Sequence, residues 1–592
     1  MKLRTLLSIV VVSWLAPAAA QAQTGSDPRI PHLEKRGSVT QLVVDGKPFL
    51  ILSGELHNSS SSSRAYMEPI WPQLAKRNLN TVLAVITWEQ IEPQEGRFDF
   101  TTVDDTIQGA RQNHLRLVIL WFGSWKNGES SYQPYWVKAD PQRFPWVKDH
   151  TGKTLNILST FGDATRDADA RAYGALMRHI REVDGREHTV LMMQVENEVG
   201  VLGDSRDHIA AANEAFAKPV PADLVNYLVK HKDTLAPELR EVWAANGNKT
   251  SGTWEQVFGP GRPDSVPPVP AEERDAAWHK SYWLVDEVFM AWRYSMYVGK
   301  VAAAGKAEYD IPMYANTWLQ EPSHPQPGQF PSGCPEPEVH DIWRFGAPSI
   351  DILAPDLYVP TFAETCERFI RNGNPLFIPE TGANAANALL AFLKYNTIGF
   401  SPFGIEGRGA AQGSNATTAP DPLAQTYAIL DYLAPVILDN QGKGTIVMLQ
   451  PTEDANAAPQ TLKLGDYTLD IRYGAGGVAG AAGDRGGGRR GGNGGAGGGR
   501  GGDGVANASP ARFVINSGPG EYWFVGGPMS VTFTPNSPEL GSVVMGSFDE
   551  TLNVNGRWVA GRRLNGDETG NNTRWPGMSS FGVYHYTVFQ RQ

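Results

Sequence analysis

The sequence predicts an α/β protein in which a (β/α)8 TIM barrel is followed by a C-terminal β-sandwich-like domain. From residue 49 onward, apolar and β-branched runs alternate with longer helix-compatible segments, which is the pattern of βα units repeated around a parallel sheet. After about residue 440 the runs shorten and are bounded by Gly, Pro or Asn, as in a sandwich. The 592 residues also exceed what one hydrophobic core usually supports, so two or more domains are expected.

Eight apolar runs are predicted to form the barrel strands. They are Phe49–Gly54, Thr81–Trp88, Arg116–Phe122, Val190–Val195, Pro312–Trp318, Ile350–Leu357, Pro375–Pro379 and Thr397–Phe403. Between them, Tyr66–Arg77 and Val103–Asn113 are predicted to be helical. Eight units of this kind predict a closed barrel, whose functional side chains gather at the carboxyl ends of the strands.

The barrel is predicted to span residues 30–420 and to carry a large insertion. The longest excursion runs from about residue 201 to 311, between the fourth and fifth strands, and contains a predicted helix at Tyr282–Ala304. Loops on this face of a barrel commonly shape the substrate site. The insertion is therefore expected to form part of the rim.

Residues 421–592 are predicted to form the C-terminal β-rich domain, entered through a helix at Leu423–Asn440. The predicted strands are Thr445–Leu449, Tyr467–Tyr473, Arg512–Asn516, Tyr522–Val525, Ser530–Phe533 and Ser542–Met545, and Asn555-Gly556 predicts a hairpin turn. Residues 474–504 are mostly glycine with arginine, and are predicted to be a disordered surface loop. Its Arg-Gly-Gly triplets resemble segments that bind single-stranded nucleic acid, but the net charge of −11 argues against a nucleic-acid partner.

The amino terminus has the layout of a secretory signal peptide at residues 1–22. Lys2 and Arg4 precede an apolar stretch at Leu6–Leu15, which is followed by small residues up to Ala22. The sequence thus predicts a secreted or periplasmic protein, with a retained anchor as the alternative. Once the signal is removed no membrane association is expected, because no later stretch has about 18 consecutive apolar residues.

Two glutamate motifs each end an apolar run. Gln194-Val195-Glu196-Asn197-Glu198 ends the predicted fourth strand, and Phe377-Ile378-Pro379-Glu380-Thr381 ends the seventh. A retaining glycosidase needs two carboxyl groups about 5 Å apart, one to protonate the leaving oxygen and one to attack the anomeric carbon. Glu198 is therefore predicted to be the acid/base and Glu380 the nucleophile.

Further residues at predicted strand ends are candidates for the substrate pocket, with ordinary barrel packing as the alternative for each. Asn197 is predicted to donate to the sugar 2-hydroxyl, and Glu196 is expected to point away from Glu198. A third carboxylate, Glu55, is predicted either to bind hydroxyls or to shift the pKa of Glu198, or else to bond to a loop. The other candidates are Trp88, Trp125, Asn127, Trp318, Tyr358 and Glu406.

Four segments of the chain occur in the order found in a known family. They are Ser53-Gly54-Glu55-Leu56-His57-Asn58, Asn80-Thr81-Val82, Val195-Glu196-Asn197-Glu198 and Pro379-Glu380. On these motifs, roughly residues 38–410 resemble glycoside hydrolase family 35, in particular the bacterial branch with a short C-terminal β domain. The resemblance implies a retaining β-galactosidase with Glu198 and Glu380 as the two functional glutamates. The chain departs from the family's usual Ser-Ile-His segment at Glu55-Leu56-His57, and from its Tyr-Ile-Cys-Ala-Glu loop at Leu120–Lys126.

The expected function is therefore an exported exo-acting hydrolase that removes terminal β-galactose from oligo- or polysaccharides by double displacement. The same chemistry on an arabinoside or glucoside remains an alternative, because the glutamates do not encode the orientation of the sugar hydroxyls. A carbohydrate-binding protein on an inactive barrel is the other alternative. The oligomeric state cannot be read from the sequence.

No cofactor or metal is expected from the sequence. His57 has no second histidine at the spacing of a metal site, and neither a phosphate-binding loop nor a Gly-x-Ser-x-Gly elbow is present. Cys334 and Cys366 are too few for a disulfide framework. One bridge between them remains open, because both are predicted to follow adjacent strands at the same face of the barrel.

Overall fold

The computed structural model describes residues 28–270, 280–407, 421–450, 458–473, 512–537, 541–565, 578 and 581–591. The predicted signal peptide at residues 1–22 and the predicted disordered loop at 474–504 lie outside the described residues. Among the helices of the described ranges, none is both long and apolar enough to cross a membrane.

Within the described residues, eight parallel strands close into a barrel in chain order, with the eighth strand paired to the first. In that order, the barrel strands are Ile51–Glu55, Thr81–Thr87, Arg116–Lys126, Val190–Asn197, Met313–Trp318, Ile352–Leu357, Ile378–Thr381 and Gly399–Pro402. Each overlaps its predicted run, so the predicted TIM barrel is confirmed. Because all eight strands are parallel, their carboxyl ends meet at one face.

Two barrel strands differ from prediction in ways that bear on the site. The third continues to Lys126 instead of ending at Phe122, because the chain stays extended and buried through this stretch. The seventh begins at Ile378, and its pairing with the eighth is irregular up to Thr381. An irregular strand end changes the direction in which its side chains point.

Helices cover the outside of the barrel and build most of the excursion between the fourth and fifth strands. In the part of the chain that the structure describes, the α-helices are Arg64–Met67, Trp71–Lys76, Trp88–Ile91, Thr101–Gln112, Tyr135–Lys138, Asp163–Asp184, Ala210–Ala217, Ala222–Lys230, Pro237–Ala245, Trp254–Phe258, Leu284–Glu308, His340–Gly346, Phe362–Phe369, Ala385–Leu393 and Pro422–Asn440. Single 3-10 turns occur at Ser60–Ser62, Lys232–Thr234, Pro337–Val339, Arg371–Gly373 and Ile405–Gly407. The predicted helix Tyr66–Arg77 is two helices, the second with Pro72 in its first turn, where the missing N–H is not needed.

The inside of the barrel is filled by apolar side chains below the carboxyl ends of the strands. Ile51, Leu83, Val118, Leu191 and Ile352 belong to one buried cluster that draws on different strands. An antiparallel sheet of His32–Arg36, Val39–Val44 and Lys47–Phe49 adds Leu42 and Val44 to this cluster. This sheet therefore closes the amino-terminal end of the barrel, and the opposite face remains for a site.

The C-terminal part of the chain forms two antiparallel sheets, as predicted. Among the described residues, one sheet has the order Ile446–Leu449, Arg512–Gly518, Glu521–Gly526, Gly582–Arg591, Ser542–Val554 and Arg557–Leu564, and the other has the order Gln460–Leu464, Tyr467–Tyr473 and Met529–Pro535. Side chains of both sheets share one core, which includes Leu469, Phe524 and Tyr586. The predicted turn at Asn555-Gly556 connects two strands of the first sheet, and both residues have positive φ.

The helix Pro422–Asn440 links the two parts of the structure. The Tyr427 hydroxyl on this helix donates to the backbone carbonyls of Ser53 and Phe400, in the first and eighth barrel strands. The same helix packs against the strands Arg512–Gly518 and Arg557–Leu564. The boundary at residue 421 remains a prediction.

Candidate active site

The carboxyl ends of the barrel strands bring a group of charged side chains together. Glu55 ends the first strand, Lys126 the third and Asp356 lies near the end of the sixth, while Glu198 follows the fourth and Glu380 lies in the seventh. All but Glu380 are buried, and Glu380 is partly exposed. Four carboxyl groups and one ammonium group thus face one another at the open end of the barrel.

The carboxylate of Glu198 is held through one of its two oxygens. Oε2 accepts hydrogen bonds from Asn127 Nδ2 at 3.1 Å, from Asn197 Nδ2 at 3.3 Å and from Lys126 Nζ at 3.3 Å. Two of the predicted pocket residues, Asn127 and Asn197, therefore contact Glu198 directly. Because three donors surround Oε2, a proton on this carboxyl group is expected on Oε1.

The backbone turns sharply at Glu198, and Asn316 fixes this turn. Glu196 and Glu198 have positive φ angles of 63° and 44°, which non-glycine residues rarely adopt. The Glu198 N–H donates to Asn316 Oδ1 at 2.9 Å, and Asn316 lies in the neighbouring fifth strand. Backbone strain of this kind is concentrated at functional sites, and here it directs the Glu198 side chain into the pocket.

Glu380 is oriented by a tyrosine from the neighbouring sixth-strand segment. The Tyr358 hydroxyl donates to Glu380 Oε1 at 2.8 Å. Tyr358 is one of the predicted pocket residues. The residue is 43% exposed, and its hydroxyl contacts the carboxylate. A hydrogen bond to an ionised group is stronger than one between neutral groups, so this contact favours a carboxylate in a fixed orientation.

The two predicted functional glutamates lie close together. One carboxylate oxygen from each of Glu198, Asp356 and Glu380 lies within 4.8 Å of the others. Retaining glycosidases place their two carboxyl groups about 5 to 5.5 Å apart, whereas inverting enzymes need about 6.5 to 9.5 Å to admit a water molecule. The approach of one Glu198 oxygen and one Glu380 oxygen to within 4.8 Å is closer than an inverting pair requires.

Lys126 was not among the candidates read from the sequence. Burial acts to lower the pKa of its ammonium group, but Glu198, Glu380 and Glu55 outweigh burial and raise the pKa above its usual value. Lys126 is therefore charged at neutral pH. The three clustered carboxylates have the spacing of metal ligands, but this ammonium group already supplies the positive charge beside Glu198 and opposes a cation there.

Asp356 and Glu55 surround the pair with two further carboxyl groups. Burial, followed by the charges of Glu380 and Glu198, raises the pKa of Asp356 well above its usual value. For Glu55, burial and the charge of Glu380 raise the pKa well above its usual value, against a lowering effect of Lys126. Glu55 therefore lies near the pair, and its predicted role there stays a prediction, whereas Asp356 was not predicted.

Glu196 lies on the other side of the fourth strand, as expected. Its Oε2 accepts from the Trp125 N–H at 2.8 Å, and burial together with Asp169 raises the pKa of Glu196 well above its usual value. Regular alternation would place residues 196 and 198 on the same side, so the separation comes from the positive φ angles. Gly123 is required here, because a Cβ would lie 2.6 Å from Glu196 Oε1.

The structure does not bring every predicted pocket residue to the site. Trp88 is fully buried and its ring nitrogen donates to Glu92, so it belongs to the packing outside the barrel strands. Trp125 is likewise buried and donates to the Leu158 carbonyl. Trp318, in contrast, ends the fifth strand as the direct partner of Asp356 in the sixth strand, and 7% of this residue is exposed.

Glu406 forms a small cluster at the rim, next to the first strand. Its Oε1 accepts from the His57 N–H at 2.9 Å, from the Ser60 hydroxyl at 2.5 Å and is 3.0 Å from His57 Nδ1. The His57 side chain is about half exposed, so it is a residue of the rim.

Cys334 and Cys366 are both buried free thiols, so the bridge left open by the sequence is not formed.

A closed parallel barrel with two glutamates at retaining distance has the arrangement that glycoside hydrolases use. Residues 41–284 match the family model described as glycosyl hydrolases family 35, which confirms the resemblance read from the motifs. Residues 423–575 match a second model, a domain of unknown function called DUF5597. The family 35 match ends before Asp356 and Glu380, so the placement of these two residues rests on the barrel itself.

Several known proteins are similar to this chain. A β-galactosidase of Xanthomonas manihotis is 29% identical over 223 residues, which is 36% of this chain and 34% of that protein. Beta-galactosidase 11 of Arabidopsis thaliana is 29% identical over 132 residues, which is 20% of this chain and 15% of that protein. The chain thus spans about a third or less of these relatives. The crystal structure of a β-galactosidase from Bacillus circulans sp. alkalophilus aligns with a TM-score of 0.43 and 14% identity, over 66% of this chain and 57% of that one.

Proposed function

We propose that this protein is an exported, retaining exo-glycoside hydrolase that removes terminal β-galactose from oligo- or polysaccharides. The observation that carries the proposal is the approach of Glu198 and Glu380 carboxylate oxygens to within 4.8 Å at the open end of the barrel. Galactose is the favoured sugar because the curated relatives are named β-galactosidases. The matched segments cover only part of those relatives, so the sugar has to be tested directly.

In the first step, Glu380 attacks the anomeric carbon while Glu198 protonates the departing oxygen. The Tyr358 hydroxyl holds the Glu380 carboxylate in one orientation. The proton is delivered from Glu198 Oε1, because Lys126, Asn127 and Asn197 surround Oε2. The products are a free leaving group and a galactosyl ester on Glu380.

In the second step, Glu198 acts as the base. It takes a proton from a water molecule, which attacks the anomeric carbon and releases Glu380 as a carboxylate. Glu198 is ionised at the start of this step, and the ammonium group of Lys126 next to it stabilises that charge. We further propose that Asn197 donates to the sugar 2-hydroxyl, an interaction that strengthens as the ring gains oxocarbenium character.

The test is a panel of aryl glycosides that share one leaving group. Wild-type protein is expected to have its highest kcat/KM on the β-galactoside, with net retention at the anomeric carbon in an initial-rate NMR assay. Glu380→Gln should be inactive, and Glu129→Gln, at an exposed loop position, serves as the matched control. A higher kcat/KM on an arabinoside or glucoside would mean that the same chemistry acts on another sugar. Sugar binding without turnover would favour the alternative of a carbohydrate-binding protein.

Export is tested separately by expression of the full chain in a bacterial host. The mature protein is expected outside the cytoplasm, with its new amino terminus following Ala20 or Ala22. An intact amino terminus in the cytoplasmic fraction would contradict export without affecting the proposed chemistry. The alternative of a retained anchor would leave the intact chain in the membrane fraction.

A further inference from the structure

Asp356 lies beside the proposed nucleophile and is linked to the proposed acid/base. In the register of the sixth and seventh strands, Asp356 is the direct partner of Glu380. Its Oδ2 accepts a hydrogen bond from Asn316 Nδ2 at 2.6 Å, and Asn316 Oδ1 accepts from the Glu198 N–H at 2.9 Å. One amide side chain thus connects Asp356 to the backbone of Glu198.

The other oxygen of Asp356 has no protein partner. Asp356 is 3% exposed, and its Oδ1 is fully buried without a hydrogen bond from any of the described residues. A carboxyl oxygen that is left unpaired in a buried position is costly unless a ligand or water molecule completes it. Since Asn316 donates to Oδ2, a proton on this carboxyl group is carried by Oδ1.

The charges around Asp356 favour its neutral form. The charged groups that face it are Glu380 of the seventh strand, Glu198 after the fourth, Glu55 of the first and Lys126 of the third. The hydroxyls of Tyr314 in the fifth strand and of Tyr358 after the sixth also lie near. One ammonium group cannot neutralise four carboxylates in a buried site, and an uncompensated buried carboxylate takes up a proton instead. In line with this geometry, burial and the nearby glutamates raise the pKa of Asp356.

We propose that Asp356 is a substrate-binding residue that remains a neutral carboxylic acid and donates a hydrogen bond from Oδ1–H to a hydroxyl of the sugar being cleaved. One oxygen of each of Asp356, Glu198 and Glu380 lies within 4.8 Å of the others, so a sugar bound between the two glutamates also lies next to Asp356. No proton is consumed, since Asp356 keeps its proton through both steps. The substrate part of this inference rests on the proposed function.

The kinetic test compares Asp356→Asn with Asp356→Ala on the aryl β-galactoside. Asparagine can accept from Asn316 with its oxygen and donate to the sugar with its NH2, so it should keep kcat/KM within about fivefold of wild type. Alanine removes both contacts and should lower kcat/KM by about 10- to 100-fold. Asp264→Asn, an exposed aspartate, is the matched control. Equal losses in Asp356→Asn and Asp356→Ala, or no loss in Asp356→Ala, would overturn the proposal.

A second measurement needs no substrate, and it remains informative if Asp356→Ala fails to fold. The infrared difference spectrum of wild type minus Asp356→Asn at neutral pH should contain the C=O band of a protonated carboxyl group. A pair of carboxylate bands in its place would overturn the proposal. A wild-type protein that hydrolyses no glycoside would contradict the proposed function, whereas the infrared bands would still decide the protonation of Asp356.

Discussion

The ammonium group of Lys126 lies 3.3 Å from Oε2 of Glu198, and both side chains are buried. Both groups are shielded from water, so the attraction between their charges is stronger than at an exposed site. The ammonium group holds Oε2 of Glu198 and leaves Oε1 free to face the substrate. Lys126 is thus expected to position the acid/base.

Replacing Lys126 with methionine should lower kcat/KM on the aryl β-galactoside by roughly 10- to 150-fold, because a hydrogen bond to a charged group is worth about 1.5 to 3 kcal/mol. Hydrolysis of substrates with poor leaving groups should fall more than that of activated ones. Lys138→Met, which breaks the surface pair with Glu89, is the matched control. An unchanged kcat/KM in Lys126→Met would show that the contact does not position the acid/base.

Removing the acid/base should affect the two steps differently. In Glu198→Ala, turnover of a substrate with a poor leaving group is expected to fall by about 10²- to 10⁴-fold, since general acid catalysis is lost. With an activated leaving group, added azide should partly restore the rate, because azide attacks the glycosyl ester without a base. The assay is product analysis for glycosyl azide. If azide restored the rate of Glu380→Ala in the same way, Glu380 would be the acid/base and Glu198 the nucleophile.

The hydrogen bond from Tyr358 to Glu380 should contribute to the rate and little to stability. Tyr358→Phe removes a bond to a charged group, which is worth about 1.5 to 3 kcal/mol, so kcat should fall by roughly 10- to 150-fold. Tyr135→Phe, at a ring that is 81% exposed, is the control. A normal kcat in Tyr358→Phe, measured on the aryl galactoside, would mean that the bond does not orient the nucleophile.

The buried Glu196 should make the folded state less stable as the pH rises. Its pKa is raised in the folded protein, chiefly by burial and then by Asp169, so its contribution is fully present below the unfolded pKa of about 4.3 and is lost as the pH rises through the folded pKa. Glu196→Gln should weaken this pH dependence in urea unfolding between about pH 4 and 8. Glu182→Gln, at an exposed helix position, is the control. Identical pH dependences in wild type and Glu196→Gln would contradict the assignment.

The barrel and the glutamate pair could be predicted from the sequence because each strand is a separate apolar run and each glutamate closes one. Asp356 lies one residue before the end of the sixth strand at Leu357, so a charged residue near the carboxyl end of an apolar run was the signal for it. Lys126 could not be predicted, because the apolar run of the third strand ends at Phe122, whereas the strand itself continues to Lys126.

Side-chain directions at strand ends could not be predicted from alternation. Trp88 follows the second strand directly, but it begins a short helix and its ring turns into the surrounding packing. Glu198 reaches the pocket only because its backbone takes a positive φ that Asn316 stabilises. Such departures depend on contacts with distant segments, which single-strand patterns do not contain.

The most direct test of the double-displacement mechanism is to trap the covalent intermediate. A 2-deoxy-2-fluoro-β-galactoside with an activated leaving group forms the glycosyl ester faster than water can remove it, and peptide mass spectrometry then locates the sugar. The sugar is expected on Glu380, with no labelling in Glu380→Gln. Labelling of Glu198 or Asp356, or no adduct in an enzyme that turns over the matching galactoside, would contradict a mechanism in which Glu380 is the nucleophile.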